Sequence, residues 1–224
     1  MILRIPSVLT ADELRDIRAR LEAAPWIDGK VTAGHEAALA KRNQQLAEDG
    51  PDAKALGETV HRALMRHQLF TTAALPLRIS PPMFNRYGVG MGYGDHIDNA
   101  LRGGRGVMRG DLSLTLFLSQ PDEYDGGELM IEDTGGARSA KLAAGDAILY
   151  PAGTVHRVQL VTRGARLASF IWVQSVVRDH PDRALLFDLD RVLGSLRTKG
   201  LSGSPEMVML TGLYHNLLRR WAET

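Results

Sequence analysis

From Pro76 onward the chain is divided into short apolar segments separated by turn residues, and this spacing limits the possible folds more than any other feature. The segments include DLSLTLFLS, DAILYPA and ARLASFIWVQSVV, with Gly, Pro or Asp recurring about every 8 to 15 residues between them. Such a rhythm is typical of a β-sandwich or barrel, in which successive strands bury alternate side chains in one core. Residues 76–177 have room for about eight strands, the number found in a jelly roll.

The residues that precede the β-rich segment have helical spacing. LTADELRDIRARLEAAPW contains a capping box formed by Thr10 and Glu13, and it predicts a helix from about Ala11 to Ala23. Apolar residues at mostly four-residue spacing predict a second helix from Pro51 to about Leu69. We expect these helices to flank a sheet.

The C-terminal residues have helical spacing as well. PDRALLFDLDRVLGSLRTKG and SPEMVMLTGLYHNLLRRWAET each begin with Pro near the first turn, and Gly200 and Gly203 lie between them. They predict two helices whose apolar faces offer a surface for a homo-oligomer. The predicted organisation is a jelly-roll domain with N-terminal helices over residues 1–177, followed by a helical extension over residues 178–224.

The composition excludes several classes of site and partner. The chain has no cysteine, so disulfides, thiolate metal sites and cysteine nucleophiles are impossible, and any metal must be held by His and carboxylate side chains. The 27 Lys and Arg nearly balance the 26 Asp and Glu, which gives no support for binding to nucleic acid or to a membrane surface. No stretch approaches about 18 uninterrupted apolar residues, so we expect a soluble, cytoplasmic protein.

Two histidines are followed two residues later by an aspartate, and one of these pairs is in a setting that suits a metal. In GMGYGDHIDNA, His96 and Asp98 lie where a loop gives way to a strand, and residues i and i+2 of a strand point to the same face. His180 and Asp182 flank Pro181 at a predicted helix start, where the helix dipole favours an aspartate. We expect the second pair to be structural.

A metal site needs a third ligand, for which His156 is the candidate. This residue lies just inside a predicted strand, after the Pro-Ala-Gly turn of LAAGDAILYPAGTVHRVQLV. Two histidines and one carboxylate form a facial triad, which suits iron(II) and leaves up to three coordination positions open for reactants. The remaining histidines are expected to be surface or interface residues: His35, His61, His67 and His215.

An arginine downstream of His156 is a candidate for binding an organic acid. Residues 162–164 form a plausible three-residue hairpin loop, after which Arg166 enters the return strand. This loop would place Arg166 opposite Leu160, on the face that His156 uses, whereas a two-residue loop would reverse the face. Because a guanidinium matches a carboxylate with two hydrogen bonds, we expect Arg166 to hold one end of a short dicarboxylate whose other end chelates the metal.

Taken together, these residues resemble a known family. The order His96-x-Asp98, His156 and Arg166, with the segments FNRYGVGMGYGDHIDNA, LSLTLFLSQPDEYDGGEL and YPAGTVHRVQLVTRGARLASFIWVQS, is similar to the iron(II)- and 2-oxoglutarate-dependent dioxygenases. Within them the chain resembles the bacterial PKHD-type hydroxylases, relatives of the prolyl 4-hydroxylase catalytic domain. The resemblance covers nearly the whole chain. It implies a double-stranded β-helix (jelly-roll) core, with His96, Asp98 and His156 on iron and Arg166 on the distal carboxylate of 2-oxoglutarate.

The resemblance also implies an activity and its reactants. The expected reaction is hydroxylation of an unactivated C–H bond in an amino-acid or peptide side chain or in a small molecule. It consumes 2-oxoglutarate and O2 and releases succinate and CO2, and the resemblance further implies ascorbate binding. The primary substrate stays open. The alternative is a cupin-like protein that binds a metal or small molecule, or senses it, without redox turnover.

Further candidates lie near the first two ligands. Asn85, Tyr87, Tyr93 and Asn99 are close enough in the sequence to hydrogen-bond the dicarboxylate or to orient a metal ligand. The basic, Gly-rich segment LRGGRGVMRGD, residues 101–111, is expected to be either a lid over the site or a solvated turn.

Overall fold

The computed structural model describes residues 1–32, 35–103 and 106–223, without the side chains of residues 32 and 35–37. The helices in these ranges are α1 (Ala11–Ala23), α2 (His35–Ala40), α3 (Pro51–Arg66), α4 (Gln68–Ala74), α5 (His180–Thr198) and α6 (Pro205–Trp221). The strands are β1 (Leu3–Ile5), β2 (Trp26–Asp28), β3 (Lys41–Arg42), β4 (Gln44–Leu46), β5 (Pro76–Ile79), β6 (Met83–Tyr87), β7 (Gly92–His96), β8 (Leu101–Arg102), β9 (Met108–Arg109), β10 (Leu112–Phe117), β11 (Tyr124–Gly126), β12 (Leu129–Ile131), β13 (Arg138–Ala140), β14 (Ala147–Pro151), β15 (His156–Val158), β16 (Val161–Gly164) and β17 (Arg166–Ser175).

Two antiparallel sheets form the core, as the spacing of turns predicted. The large sheet has the order β1-β14-β10-β17-β6-β4-β2, with β5 also paired to β17, and the small sheet has the order β13-β12-β15-β7-β3. Apolar residues of both sheets meet in one buried cluster, which includes Tyr87 and Tyr150 of the large sheet and Ile131 and Val158 of the small sheet. The predicted jelly-roll class, mainly β with flanking helices, is confirmed.

The N-terminal helices cover the outer face of the large sheet. Ile17 and Leu21 of α1 and Val60 and Leu64 of α3 share one core cluster with Leu114 of β10. Strand β10 is therefore buried on both faces along its whole length. This packing explains why its sequence, LSLTLF, carries leucines toward the helices and smaller polar residues toward the small sheet.

The predicted helix boundaries are close to those observed. Helix α1 spans Ala11–Ala23, with the capping box of Thr10 and Glu13 in place. The second helix ends at Arg66 instead of about residue 69, because His67 has an extended backbone, and α4 follows directly. This change of direction buries Phe70, whose side chain has no exposed surface.

The two predicted C-terminal helices are present and pack against each other. Gly200 and Gly203 in their connection both have positive φ, at 75° and 82°. Phe187 of α5 belongs to the same core cluster as the helices and the large sheet. The boundary between residues 177 and 178 stays a prediction, and so does a homo-oligomer formed through the exposed Leu185, Val208 and Met209.

The predicted hairpin at residues 162–164 is wrong. Gly164 does have the positive φ expected of it, at 70°, but β16 pairs with β11, and β17 leaves for the large sheet. Arg166 therefore lies opposite Tyr87 of β6 instead of Leu160. A local turn pattern does not specify the partner of the strand that follows, and β17 forms long ladders with β6 and β10 that a short hairpin would not provide.

Candidate metal and co-substrate site

Two histidines that are 60 residues apart in the sequence face each other in the small sheet. Strands β7 and β15 are neighbours, and their register places His96 directly opposite His156. Cross-strand partners in an antiparallel sheet project to the same face. The two imidazole rings accordingly lie 4.2 Å apart between centroids, tilted by 51°.

Asp98 completes a cluster with these histidines. The predicted strand start at this pair is wrong, because β7 ends at His96 and Asp98 lies in the loop that follows it. Oδ2 of Asp98 is 3.8 Å from Nε2 of His156. One ligand atom from each of His96, Asp98 and His156 lies within 4.8 Å of the others. Within the described ranges, this is the one group of three or more His, Cys, Asp or Glu residues that could hold a metal ion.

Both imidazoles are oriented by the backbone. Nδ1 of His96 donates to the carbonyl of Gly94 at 2.8 Å, and Nδ1 of His156 donates to the carbonyl of Thr154 at 2.9 Å. A carbonyl oxygen only accepts, so each Nδ1 carries a proton, and in the neutral imidazole Nε2 is the nitrogen that can offer a lone pair to a metal. Metal-ligating histidines are commonly held by such a hydrogen bond at the second nitrogen.

Asp98 is oriented from the facing sheet. The hydroxyl of Ser113 in β10 donates to Oδ2 of Asp98 at 2.5 Å. Sequence analysis missed Ser113, although a polar residue inside the apolar strand LSLTLF was a signal that could have identified it. Because the hydrogen bond fixes one carboxylate oxygen, it limits the rotation of the group that would ligate the metal.

Aromatic rings surround the two histidines. The ring of Tyr93 stacks on His96 with a centroid distance of 3.6 Å, and Tyr150 meets His156 edge-on at 5.1 Å. Burial raises the pKa of both phenols, and the charge of Asp98 adds to the effect, so both stay protonated at neutral pH. The rings can therefore position the imidazoles without adding charge.

Burial also controls the charge of His96. Desolvation, with a further contribution from His156, lowers the pKa of His96 to about 4. The imidazole is consequently neutral near pH 7, which is the form that binds a metal.

Arg166 is a buried cation to which no described residue provides a counter-charge. Its side chain is 1% exposed, and its guanidinium lies 5.4 Å from the ring of Tyr87 and 5.3 Å from that of Phe117. Nε and Nη2 have no hydrogen-bond partner among the described residues, and no described carboxylate pairs with them. Leaving a buried guanidinium unpaired costs several kcal/mol, so the arrangement fits a site for an anion.

One cavity between the sheets joins Arg166 to the His96–Asp98–His156 cluster. Residues of the large sheet, including Asn85, Ser113 and Arg166, line it opposite the two histidines. The four residues named in the sequence as possible hydrogen-bonding groups all line it too: Asn85, Tyr87, Tyr93 and Asn99. The amide oxygen of Asn85 is buried without a partner among the described residues. The roles of these four residues stay predictions.

The remaining histidines lie elsewhere. His61 on α3 and His215 on α6 are exposed, and Nε2 of His67 bonds the carbonyl of Pro6. His180 bonds the N-terminal amine, and Asp182 lies in the first turn of α5, as expected of a structural pair. The backbone of His35 belongs to α2, but its side chain lies outside the described residues.

The segment over residues 101–111 folds back toward the cavity. Strands β8 and β9 pair as a ribbon, and Asp111 fixes its end by accepting from Arg109 at 2.6 Å. Residues 104 and 105 lie outside the described part. The guanidinium carbon of Arg102 lies 3.1 Å from the ring centroid of Trp172, and both residues line the cavity. The segment is thus more than a solvated turn, while opening and closing as a lid stays a prediction.

Lys41 is a third cation that lines the cavity, besides Arg166 and Arg102, and sequence analysis missed it. It lies on β3, is 4% exposed and donates to the side-chain oxygen of Gln45 at 2.7 Å. Burial, with a contribution from Arg102, lowers its pKa to about 8. No local motif marks it, since its position depends on the pairing of β3 with β7.

Comparisons with known proteins show the family of the chain. Residues 82–174 match the model of the 2OG-Fe(II) oxygenase superfamily, and residues 180–223 match that of the PKHD-type hydroxylase C-terminal domain. A PKHD-type hydroxylase of Burkholderia ambifaria is 54% identical over 226 residues, covering 100% of both chains.

Solved structures share the fold at low sequence identity. A Pseudomonas putida prolyl-4-hydroxylase has a TM-score of 0.53 and 19% identity, covering 78% of this chain and 92% of its own. HygX of Streptomyces hygroscopicus, solved with nickel and 2-oxoglutarate bound, has a TM-score of 0.53 and 16% identity, covering 79% of this chain and 84% of its own.

Each described helix is too short or too polar to cross a lipid bilayer. The full-length identity to curated relatives, together with the two family-model matches, decides the classification. The chain belongs to the PKHD-type hydroxylases, a family of 2-oxoglutarate-dependent dioxygenases within the 2OG-Fe(II) oxygenase superfamily.

Proposed function

We propose that the protein uses Fe(II) and 2-oxoglutarate to hydroxylate an unactivated C–H bond, with release of succinate and CO2. The observation that carries the proposal is the presence, in one cavity, of three residues that could hold a metal ion and a buried arginine for which the described residues provide no counter-charge. The proposed metal ligands are His96, Asp98 and His156, and Arg166 is the proposed anchor for the distal carboxylate of 2-oxoglutarate.

The donor set suits the proposed metal. Two neutral imidazoles and one carboxylate fit iron(II) and leave positions open for 2-oxoglutarate and O2. When bound, the metal supplies the chemistry that activates O2 with electrons from the co-substrate, which amino-acid side chains cannot provide. The chain contributes fixed ligand positions, through the carbonyls of Gly94 and Thr154 and the hydroxyl of Ser113.

Arg166 suits the proposed co-substrate. Its guanidinium is buried between two aromatic rings, where a carboxylate would receive charge-assisted hydrogen bonds of more than usual strength. The arginine lies on the large sheet and the histidines on the small sheet, so a dicarboxylate held by both would lie across the cavity. Its binding would also exclude water from the cavity interior.

A spectroscopic titration tests the proposed ligands. Fe(II) and 2-oxoglutarate, added without O2, are expected to give a weak visible charge-transfer band with the native protein. The Asp98→Ala variant should give no band, because it lacks one of three ligands. Absence of the band from the folded native protein, with metal and co-substrate in excess, would refute the site.

Product analysis separates the enzyme from the cupin-like binder. An oxygenase forms succinate when O2 is admitted, at a slow rate even without its primary substrate, whereas a binder forms none. Repeating the assay with and without ascorbate tests the expected binding of ascorbate by its effect on the rate. The primary substrate, whether an amino-acid side chain, a peptide or a small molecule, is then sought by its stimulation of succinate release.

A further inference from the structure

The central cavity carries more positive charge than the proposed iron and 2-oxoglutarate require. A divalent metal and Arg166 together would balance Asp98 and the two carboxylates of 2-oxoglutarate. A further cation, Arg102, lines the same cavity, and Asp98 is the sole carboxylate among its described lining residues. The cavity is therefore suited to one more anion.

The guanidinium of Arg102 is oriented so that it can bind a ligand. Its guanidinium carbon is 3.1 Å from the ring centroid of Trp172, a distance at which two planar groups fit only face to face. The N–H groups at the edge of the guanidinium then point away from the ring. No hydrogen bond or ion pair joins the guanidinium of Arg102 to the other described residues, so these donors are available to a bound carboxylate.

This position differs from the proposed site for the distal carboxylate of 2-oxoglutarate. Arg166 and Trp172 both project from the inner face of β17 but are six residues apart, which is about 20 Å between α carbons at ~3.3 Å per residue. A five-carbon dicarboxylate that is anchored at Arg166 and chelates the metal would not also reach Arg102. The two arginines therefore serve opposite ends of the cavity.

The Arg102 end lies beside the proposed metal ligands. Trp172 is the cross-strand partner of Ser113, which donates to Asp98. The wall there is apolar, because Phe170 meets Trp172 edge-to-face at 5.3 Å. Lys41 faces the same wall, with its Nζ 5.9 Å from the ring of Phe170. A molecule held here would be close to the position where the reaction takes place.

We propose that the primary substrate carries a carboxylate, which Arg102 binds from its stack on Trp172, and that the adjoining apolar part of the substrate packs on Phe170. This inference rests on the proposed function of the same cavity. Under this inference Arg102 is a specificity-determining residue, and the ribbon of β8 and β9 holds it over the cavity.

The test compares an acid with its neutral amide. Calorimetric titrations use protein loaded with Mn(II) and saturating 2-oxoglutarate, whose own binding is measured first. The probes are N-acetylphenylalanine and N-acetylphenylalaninamide, which differ only in charge. The native protein is expected to bind the acid more tightly than the amide. Arg102→Gln should lower the affinity for the acid about tenfold and change the affinity for the amide less than about twofold.

Two variants control the measurement. Arg86→Gln removes an exposed arginine that does not line the cavity, and it should leave the affinity for both probes unchanged. Arg102→Lys retains the charge and should recover part of the affinity for the acid. A third probe, N-acetylglutamylphenylalaninamide, carries its carboxylate on a side chain; tighter binding than that of N-acetylphenylalanine would indicate a peptide substrate, and weaker binding a small free acid.

The outcomes distinguish this inference from the proposed function. If Mn(II) or 2-oxoglutarate does not bind, the proposed function fails at the first step. If both bind but the native protein does not prefer the acid, or Arg102→Gln weakens both probes equally, the carboxylate assignment is overturned and Arg102 only stabilises the ribbon.

Discussion

Replacing Arg166 with leucine should have opposite effects on the free protein and on the co-substrate complex. In the free protein the guanidinium is 1% exposed, and two of its nitrogens have no partner among the described residues. Removing an unpaired buried charge is favourable and offsets the cost of the space that the shorter leucine leaves. We therefore expect the unfolding free energy of the free variant to be no lower than that of the native protein, within about 1 kcal/mol.

The same substitution should nearly abolish stabilisation by 2-oxoglutarate. Loss of two charge-assisted hydrogen bonds removes about 3 kcal/mol, or roughly 150-fold in affinity. At a co-substrate concentration of about 100 times the native Kd, the native protein gains about 2.7 kcal/mol, whereas the variant gains only about 0.3 kcal/mol. For a chain of this size the corresponding rises in Tm are about 5 to 10 °C and about 1 °C.

The assay is a thermal-unfolding series of Mn(II)-loaded protein with and without 2-oxoglutarate, supported by calorimetric titration of each ligand. Mn(II) affinity should be unchanged, because the substitution leaves the cluster on the small sheet intact. Arg166→Lys, which keeps the charge but loses the planar pair of donors, should fall between the native protein and the leucine variant. Equal stabilisation of native and leucine proteins by 2-oxoglutarate, or an equal loss of Mn(II) and 2-oxoglutarate affinity, would refute the assignment.

Four further predictions concern the ligands and the scaffold. Asp98→Ala should lose Mn(II) binding by titration while keeping a native circular dichroism spectrum, and retained binding would exclude Asp98 as a ligand. Ser113→Ala should weaken Mn(II) binding about tenfold, because it frees the Asp98 carboxylate that the serine hydroxyl orients at 2.5 Å; an unchanged affinity would limit Ser113 to packing. The Arg66 guanidinium lowers the pKa of Glu13 from 4.5 to about 2, so the pair stabilises the fold fully above pH 4.5, and this contribution is lost as the pH falls toward 2. Since both side chains are partly exposed, Glu13→Gln should lower the free energy of unfolding in urea by only about 1 kcal/mol at pH 7 and by almost nothing near pH 2. A difference that does not depend on pH would contradict the ion-pair explanation. Gly126→Ala should lower the free energy of unfolding by at least about 2 kcal/mol, because residue 126 has a φ of 69° and an added Cβ would lie 2.0 Å from a backbone carbonyl oxygen. If urea unfolding of the variant matches that of the native protein, this strand can shift at little cost.

The sequence by itself determined the features that depend on neighbours along the chain. The capping box of Thr10 and Glu13 and the positive φ of Gly164 involve residues within a few positions of each other, and both were predicted. The proximity of His96 to Asp98 follows from a two-residue spacing at the end of a strand. The β-rich core follows from the spacing of turns, since each short apolar segment must be half or fully buried. The number of strands does not follow from it: about eight were expected in residues 76–177, whereas the described residues there form the thirteen strands β5–β17.

Tertiary structure alone decided which of these pieces meet. Register and strand partners depend on contacts across the whole chain, and so a local loop pattern predicted the wrong partner for Arg166. Ser113 reaches Asp98, and Arg102 reaches Trp172, because two sheets and a ribbon enclose one cavity. Residue types indicated the chemistry, whereas long-range packing fixed the distances and the burial on which that chemistry depends.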